Sequence, residues 1–87
     1  MKTIIISSET GLHARPASLI VNACSAFASE IFLIKNGNKA NARSIMNIMA
    51  MGIVQGDELS ILAEGDDSEA AEVKILEVIE ASLWWKV

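Results

Sequence analysis

The spacing of hydrophobic and polar residues along this chain predicts four β-strands and three helices. Short β-branched or alternating segments predict strands over residues 2–7, 31–35, 38–42 and 57–64. Apolar residues at helical spacing predict helices from Pro16 to about Ala28, from Ser44 through Met51, and from Asp67 or Ser68 onwards. The predicted order of elements is therefore βαββαβα.

Each of the longer elements has one apolar face. The predicted stripe of the first helix is Leu19, Ile20, Ala23, Cys24 and Phe27. The last strand alternates and turns one face inward, with Leu59, Ile61 and Ala63. The third helix has an apolar side of Ala71, Ile75, Val78, Ile79 and Ser82, and an acidic side of Glu69, Glu72, Glu77 and Glu80. Elements with one buried face pack as layers.

The turn sequence Asn36-Gly37 joins two of the strands as a tight hairpin and so fixes one antiparallel pair. The short polar strand after it has the character of an edge strand. We expect an α/β (α+β) fold, a two-layer sandwich with helices on one face of a four-stranded, mainly antiparallel sheet. The 87 residues fit one small domain, residues 1–87. Periodicity leaves the full strand order open.

Composition and charge exclude several classes of protein. Hydrophobic residues make up 52% of the chain, which is too many for a disordered segment. The net charge of −4 argues against binding nucleic acid through its phosphates. Cys24 stands alone, so no intrachain disulfide forms, and the chain is not a disulfide-stapled secreted domain. No apolar run is long enough for a signal peptide or a membrane span, so we expect a cytoplasmic protein without membrane insertion.

The segment Gly11-Leu12-His13-Ala14-Arg15-Pro16-Ala17 carries the chemistry. His13 is the one histidine, so we expect no metal site and no cofactor. A helix that begins at Pro16 and Ala17 offers N–H groups and a positive dipole end to a phosphate, and Arg15 adds a fixed charge. A neutral imidazole is a nucleophile that can accept a phosphoryl group. The alternative from the residues alone is an exposed cap with a surface charge beside it.

This segment resembles the active-site signature of the histidine-containing phosphocarrier family, HPr, of the bacterial phosphoenolpyruvate:sugar phosphotransferase system. The segments 41–46 (NARSIM) and 51–56 (MGIVQG) resemble the family's regulatory-serine region, and the length and element order also match. The resemblance implies an open-faced sandwich and a carrier that takes phosphate from enzyme I and gives it to enzyme IIA domains. It implies phosphorylation of His13 through Nδ1, with Arg15 stabilising the phosphate. Such a carrier is not an enzyme, because it is consumed and regenerated stoichiometrically.

Ser44 is expected to cap the second helix, and the resemblance implies that it is also a regulatory phosphorylation site. In Gram-positive members, an ATP-dependent HPr kinase/phosphorylase modifies the matching serine, and the product acts with a catabolite-control transcription regulator. Asn47 stands where the family commonly has glycine, and Arg43 where it often has lysine. Leu12, Ala17, Ile45, Met46 and Met49 are expected to form an apolar rim that docks partner proteins, whereas Ile48 and Met51 are expected in the core.

Two alternative functions and one unassigned feature remain. The chain could be a regulatory binding module of carbon catabolite control, in which Ser44 matters most, or a phosphocarrier of a nitrogen-linked branch. Trp84 and Trp85 lie near the end of the sequence and, with Val73 and Leu76, are expected either to pack at the end of the third helix or to form a weak self-association patch. We otherwise expect a monomer.

Overall fold

A computed structural model describes residues 1–83 of the chain and contains all of the elements that the pattern predicts. They are β1 (Lys2–Ile5), α1 (Ala14–Cys24), β2 (Glu30–Lys35), β3 (Asn38–Asn41), α2 (Ile45–Ala50), β4 (Glu58–Glu64) and α3 (Ser68–Leu83). The order βαββαβα is confirmed. The expectations about Trp84 and Trp85 lie outside the described residues.

The four strands form one antiparallel sheet in the order β1-β4-β2-β3. The β2–β3 hairpin turns through Asn36 and Gly37, both with positive φ (52° and 80°), as a tight turn between twisted strands requires. β3 is an edge strand, as predicted. β4 pairs with β1 and with β2, so the first strand of the chain reaches the sheet only through β4.

One face of the sheet packs under the helices and forms the core. In β4 the alternation is confirmed, because Leu59, Ile61 and Ala63 are buried. The side chains that are fully buried include Ile6, Ile20, Ile31, Leu33, Ile48, Leu59, Ile61, Ile75 and Ile79. Phe32, Ile34 and Leu62 lie on the other face and are only half-buried. The structure is therefore a two-layer sandwich that leaves one sheet face open.

The bounds and the stripe predicted for the first helix are wrong in part. α1 begins two residues earlier than Pro16 and ends at Cys24, four residues before Ala28. The chain after Cys24 closes in tighter turns, with bonds from the N–H of Ala26 to Ala23 O (3.2 Å) and of Phe27 to Cys24 O (3.1 Å). The buried residues of α1 are Pro16, Ala17, Ile20 and Cys24, whereas Leu19 is 46% exposed.

Arg43 holds the segment that follows α1. Its guanidinium donates to the carbonyl oxygens of Cys24 (2.9 Å), Phe27 (2.8 Å) and Ser29 (2.8 Å). A cation at this position satisfies carbonyls that the end of a helix leaves open and matches the negative end of its dipole. The planar fork of an arginine suits three acceptors spread over six residues.

One acidic residue of α3 was predicted on the solvent side of the helix and is buried instead. Ala71, Ile75 and Ile79 are buried as expected, but Glu72 is also buried, with 6% of its surface exposed. Its Oε2 accepts the N–H of Ala63 in β4 (2.9 Å), and its Oε1 pairs with the amino group of Met1 (3.1 Å). Burial raises the pKa of Glu72, but these two partners outweigh that effect and the net pKa is lowered.

Asp67 joins the start of α3 to the segment before β2. Its carbonyl accepts the N–H of Ala71 (2.9 Å), so it takes the N-cap position of α3. Its carboxylate accepts the N–H groups of Ala28 (2.8 Å) and Ser29 (2.9 Å) and the Ser29 hydroxyl. The bond from the Ser29 hydroxyl, followed by that from the Ala28 N–H, lowers the pKa of Asp67.

No helix within residues 1–83 is long and apolar enough to cross a membrane.

The carboxylate of Asp67 is expected to contribute a stability that disappears in acid. Because folding lowers its pKa, the contribution is complete above the unfolded-state pKa of about 4 and is lost as the pH falls through the lower folded-state value. In Asp67→Asn an NH₂ group replaces one acceptor oxygen, so urea unfolding at pH 7 should give a lower midpoint than that of the wild type. This deficit should shrink steadily from about pH 5 to about pH 2.

Asp66→Asn is the matched control, because Asp66 is exposed and has no hydrogen-bond or ion-pair partner within residues 1–83. It should keep the wild-type midpoint throughout. A deficit in Asp67→Asn that stays constant down to pH 2 would show that the carboxylate charge is not what stabilises the junction.

Candidate functional site

His13 occupies the N-cap position of α1 with its side chain free of any capping role. Its backbone is extended (φ −99°, ψ −165°), its carbonyl accepts the N–H of Ala17 (3.1 Å), and its side chain makes no cap hydrogen bond. The residue is exposed. The imidazole therefore stands at the open end of a helix, where a reacting group can approach it.

The first turn of α1 gives this end a positive character. Ala14 and Arg15 are the first two helical residues and both are exposed. The first turn contains no acidic residue, so nothing in it offsets the positive dipole end. An anion beside His13 would meet the N–H of Ala14 and the guanidinium of Arg15, which binds phosphate oxygens in a fixed planar geometry.

The phosphate-binding positions predicted at Pro16 and Ala17 are wrong. Pro16 is the third helical residue and has no N–H, and the Ala17 N–H is already bonded to His13 O. Both residues are buried. The prediction placed the helix start at Pro16, but the extended backbone of His13 allows the helix to begin at Ala14. The available first-turn amide therefore lies closer to the imidazole than expected.

The loop before His13 rests on the segment that follows α2. The N–H of Leu12 donates to Ile53 O (3.2 Å), and Leu12 and Ile53 are each 5% exposed. Gly11 has a φ of +65°, and a Cβ there would overlap Ile53 O and lie 2.9 Å from the Cα of Val54. Only glycine combines this conformation with such a close approach. The loop that leads to His13 therefore packs directly against the backbone of Ile53 and Val54.

The predicted apolar rim divides into a buried part and an exposed part. Leu12 and Ala17 are 5% and 0% exposed, so they belong to the core and cannot form a docking surface. Ile45, Met46 and Met49 of α2 are 39%, 82% and 42% exposed. On the same helix Ile48 is buried, as expected, and Met51 is partly buried against the core.

Leu19 and Val54 are among the exposed apolar residues that the sequence analysis missed. Leu19 on α1 is 46% exposed, and Val54, after α2, is 56% exposed. The signal for Leu19 was available, because it follows Arg15 by one helical turn and precedes Asn22 by another, so it shares their solvent-facing side. Val54 had no such signal, since its exposure depends on the loop that Gly11 packs against.

Ser44 is the N-cap of α2, as predicted. Its Oγ accepts the backbone N–H of Asn47 (3.2 Å) and also the Asn47 side-chain Nδ2–H (2.9 Å). The hydroxyl oxygen has two lone pairs, and Asn47 engages both. Ser44 is half-buried at the start of a helix that packs against α1.

The described residues contain no group of three or more His, Cys, Asp or Glu side chains arranged to hold a metal ion. The arrangement at His13 is an exposed imidazole, a cation at Arg15 and a helix end, and such a set can accept an anionic group.

Comparisons with known proteins agree with this geometry. The family model of the PTS HPr component phosphorylation site matches residues 1–81. The phosphocarrier protein HPr of Mycoplasma capricolum is 48% identical over 67 residues, covering 77% of this chain and 75% of that protein. The HPr-like protein Crh of Halalkalibacterium halodurans is 40% identical over 79 residues, covering 91% of this chain and 94% of Crh. A crystal structure of an HPr dimer from Thermoanaerobacter tengcongensis has a TM-score of 0.75 and 46% identity over 95% of each chain.

Substitutions at Gly11 and Gly52 form a matched pair that tests how closely the histidine loop approaches Ile53. Both have positive φ (65° and 63°), but a Cβ on Gly52 would have nothing within 4 Å. Gly52→Ala should therefore carry only the conformational cost, about 1–2 kcal/mol. Gly11→Ala adds an overlap with Ile53 O and should lose at least about 1 kcal/mol more. Urea unfolding measures both losses, and equal losses would contradict the close approach.

Proposed function

This chain belongs to the HPr phosphocarrier family, and on that basis we propose that it carries phosphoryl groups in the phosphoenolpyruvate-dependent sugar phosphotransferase system. In this proposal His13 accepts a phosphoryl group from enzyme I and passes it to sugar-specific enzyme IIA domains. The observation that supports it best is the exposed imidazole at the N-cap of α1, whose side chain serves no capping bond.

The transfer is a displacement at phosphorus. A ring nitrogen of His13, Nδ1 by family resemblance, donates its lone pair to the phosphorus of charged enzyme I, and the bond from phosphorus to enzyme I breaks. The phosphoryl oxygens then lie near the Ala14 N–H and the Arg15 guanidinium, which stabilise their negative charge. The reverse displacement, with an enzyme IIA nucleophile, returns the imidazole to its starting state.

We regard the chain as a stoichiometric carrier rather than an enzyme. It supplies one nucleophile and a cradle for the charge, while the phosphoryl donor and the final acceptor belong to its partners. No cofactor is needed for this role. We expect the carrier to work in the cytoplasm as a single domain and as a monomer; a second copy is the alternative, since the similar protein of T. tengcongensis is described as a dimer.

Docking is proposed to use the exposed apolar residues of α2 and its surroundings, namely Ile45, Met46, Met49, Leu19 and Val54. Methionine side chains adapt to differently shaped partners, which suits a protein that must meet enzyme I and several enzyme IIA domains. An apolar contact of modest size also allows the quick release that a shuttle needs.

A second candidate function is regulatory, and the place of Ser44 at the N-cap of α2, beside the exposed apolar residues of that helix, supports it. We propose that Ser44 is a phosphorylation site for an HPr kinase/phosphorylase, so that the modified chain acts with a catabolite-control transcription regulator. A phosphate there would add about −1.5 to −2 charges next to the apolar residues of α2. The similarity to Crh fits such a regulatory module. A carrier of a nitrogen-linked branch is the remaining alternative.

The carrier function predicts one acid-labile phosphate on His13. Incubation with phosphoenolpyruvate and enzyme I should raise the mass by one phosphoryl group, and brief acid treatment should remove it, because a phosphoramidate N–P bond hydrolyses in acid. His13→Ala should take no phosphate, whereas Ser44→Ala should behave as wild type. Phosphate that survives in His13→Ala would refute the assignment.

The regulatory function predicts an acid-stable phosphate on Ser44 after incubation with ATP and an HPr kinase/phosphorylase. Ser44→Ala should lose this phosphate, and His13→Ala should retain it. Because Asn47 Nδ2–H occupies one lone pair of the attacking hydroxyl, Asn47→Ala should be modified about two- to tenfold faster, which is the weight of one hydrogen bond. A wild-type chain that takes no acid-stable phosphate would leave the carrier role standing and remove the regulatory one.

A further inference from the structure

An ion pair between Lys35 and Asp57 lies next to the segment after α2, and the histidine loop packs against that segment. Lys35 is the last residue of β2, and Asp57 directly precedes β4. The Lys35 Nζ lies 2.9 Å from Asp57 Oδ2, and only 17% and 21% of the two side chains are exposed. An ion pair shielded to this extent is weakened less by salt than a surface pair.

Each partner of this pair also holds backbone of the segment after α2. The Lys35 ammonium donates to Gly52 O (2.7 Å) and to Met51 O (3.3 Å), the two carbonyls directly after the end of α2. The carboxylate of Asp57 accepts the N–H of Val54 (2.8 Å). That bond, followed by the one from Lys35, lowers the pKa of Asp57.

Ile53 lies between the two anchored residues. Gly52 is fixed through its carbonyl and Val54 through its N–H, so the peptide units on both sides of Ile53 are held. The carbonyl of Ile53 is the acceptor for the Leu12 N–H, and Leu12 directly precedes His13. The orientation of the Ile53 carbonyl therefore determines where the loop that carries the imidazole is held.

We propose that Lys35 and Asp57 are positioning residues for phosphoryl transfer at His13, because together they fix the Ile53 carbonyl on which the histidine loop rests. Neither residue touches the reacting atoms. Their effect is on geometry, since a phosphoryl acceptor must meet its donor in line and a small misplacement costs rate rather than binding. The inference rests on the carrier function proposed above.

The position of Arg43 makes it a control for this proposal. Like Lys35, it is a cation that donates to backbone carbonyls near the end of a helix. It acts, however, on the residues that follow α1, at the end of that helix opposite to His13. Arg43→Met should therefore destabilise the fold without disturbing the histidine loop, and it separates a general loss of stability from a loss of positioning.

The experiment compares Lys35→Met, Asp57→Asn and Arg43→Met at a temperature where circular dichroism shows each to be folded. One readout is kcat and KM of enzyme I with each chain as phosphoryl acceptor. The other is hydrogen exchange at the Leu12 N–H, which needs no partner and no phosphate. Lys35→Met and Asp57→Asn should lower kcat about three- to thirtyfold with KM changed less than about twofold. They should also speed Leu12 exchange about tenfold.

Lys35→Arg should restore most of the kcat, because it keeps a donor cation at the end of α2. Arg43→Met should keep the wild-type kcat and Leu12 exchange despite a lower urea midpoint. The proposal is overturned if Lys35→Met keeps both wild-type values, or if Arg43→Met lowers kcat equally. A wild-type chain that takes no phosphate on His13 refutes the carrier function and the transfer role together, while Leu12 exchange still decides whether the pair holds the loop.

Discussion

One backbone hydrogen bond, from the Leu12 N–H to Ile53 O, connects the loop that carries His13 to the core of this molecule. The bond joins two segments that lie about forty residues apart in the chain, and the missing side chain of Gly11 allows them to approach. The bond fixes the loop directly before His13, whose backbone is extended and whose side chain is exposed at the start of α1. An exposed histidine on a surface loop thereby rests on the core, which is how loops carry function on a stable scaffold.

The charge distribution of the chain sets the first turn of α1 apart from the rest of the surface. A net charge of −4 disfavours anions over most of the surface. The first turn of α1 has no acidic residue and carries Arg15, so it differs locally from the rest of the protein. The side chains of Lys35 and Arg43 donate to backbone carbonyls, and Lys35 also pairs with Asp57. These contacts stabilise the ends of α2 and α1. These three cations therefore divide between structural contacts, at Lys35 and Arg43, and the place where a phosphoryl group is expected, at Arg15.

Periodicity predicted the elements and the fold class because each element buries one face, but it could not locate side chains whose position depends on a distant neighbour. Glu72 appeared solvent-facing on α3 and is buried, because Ala63 of β4 and the chain's amino end meet its carboxylate. Leu12 and Ala17 appeared to border the site and are core, because the loop folds down onto Ile53. The motif around His13 marks the candidate site from the sequence alone, whereas Lys35 and Asp57 carry no local signal and become visible only when β2 and β4 lie side by side.

The hydrogen bonds of the Asp67 carboxylate affect how the protein unfolds. Through three hydrogen bonds it links the start of α3 to Ala28 and Ser29, and the carbonyl of Ser29 is in turn held by Arg43. The exit of α1, the entry to β2 and the beginning of α3 are therefore bound into one junction. None of these elements can open without breaking contacts that hold the other two, so this end of the sandwich behaves as one cooperative unit while the histidine end is held by a separate set of bonds.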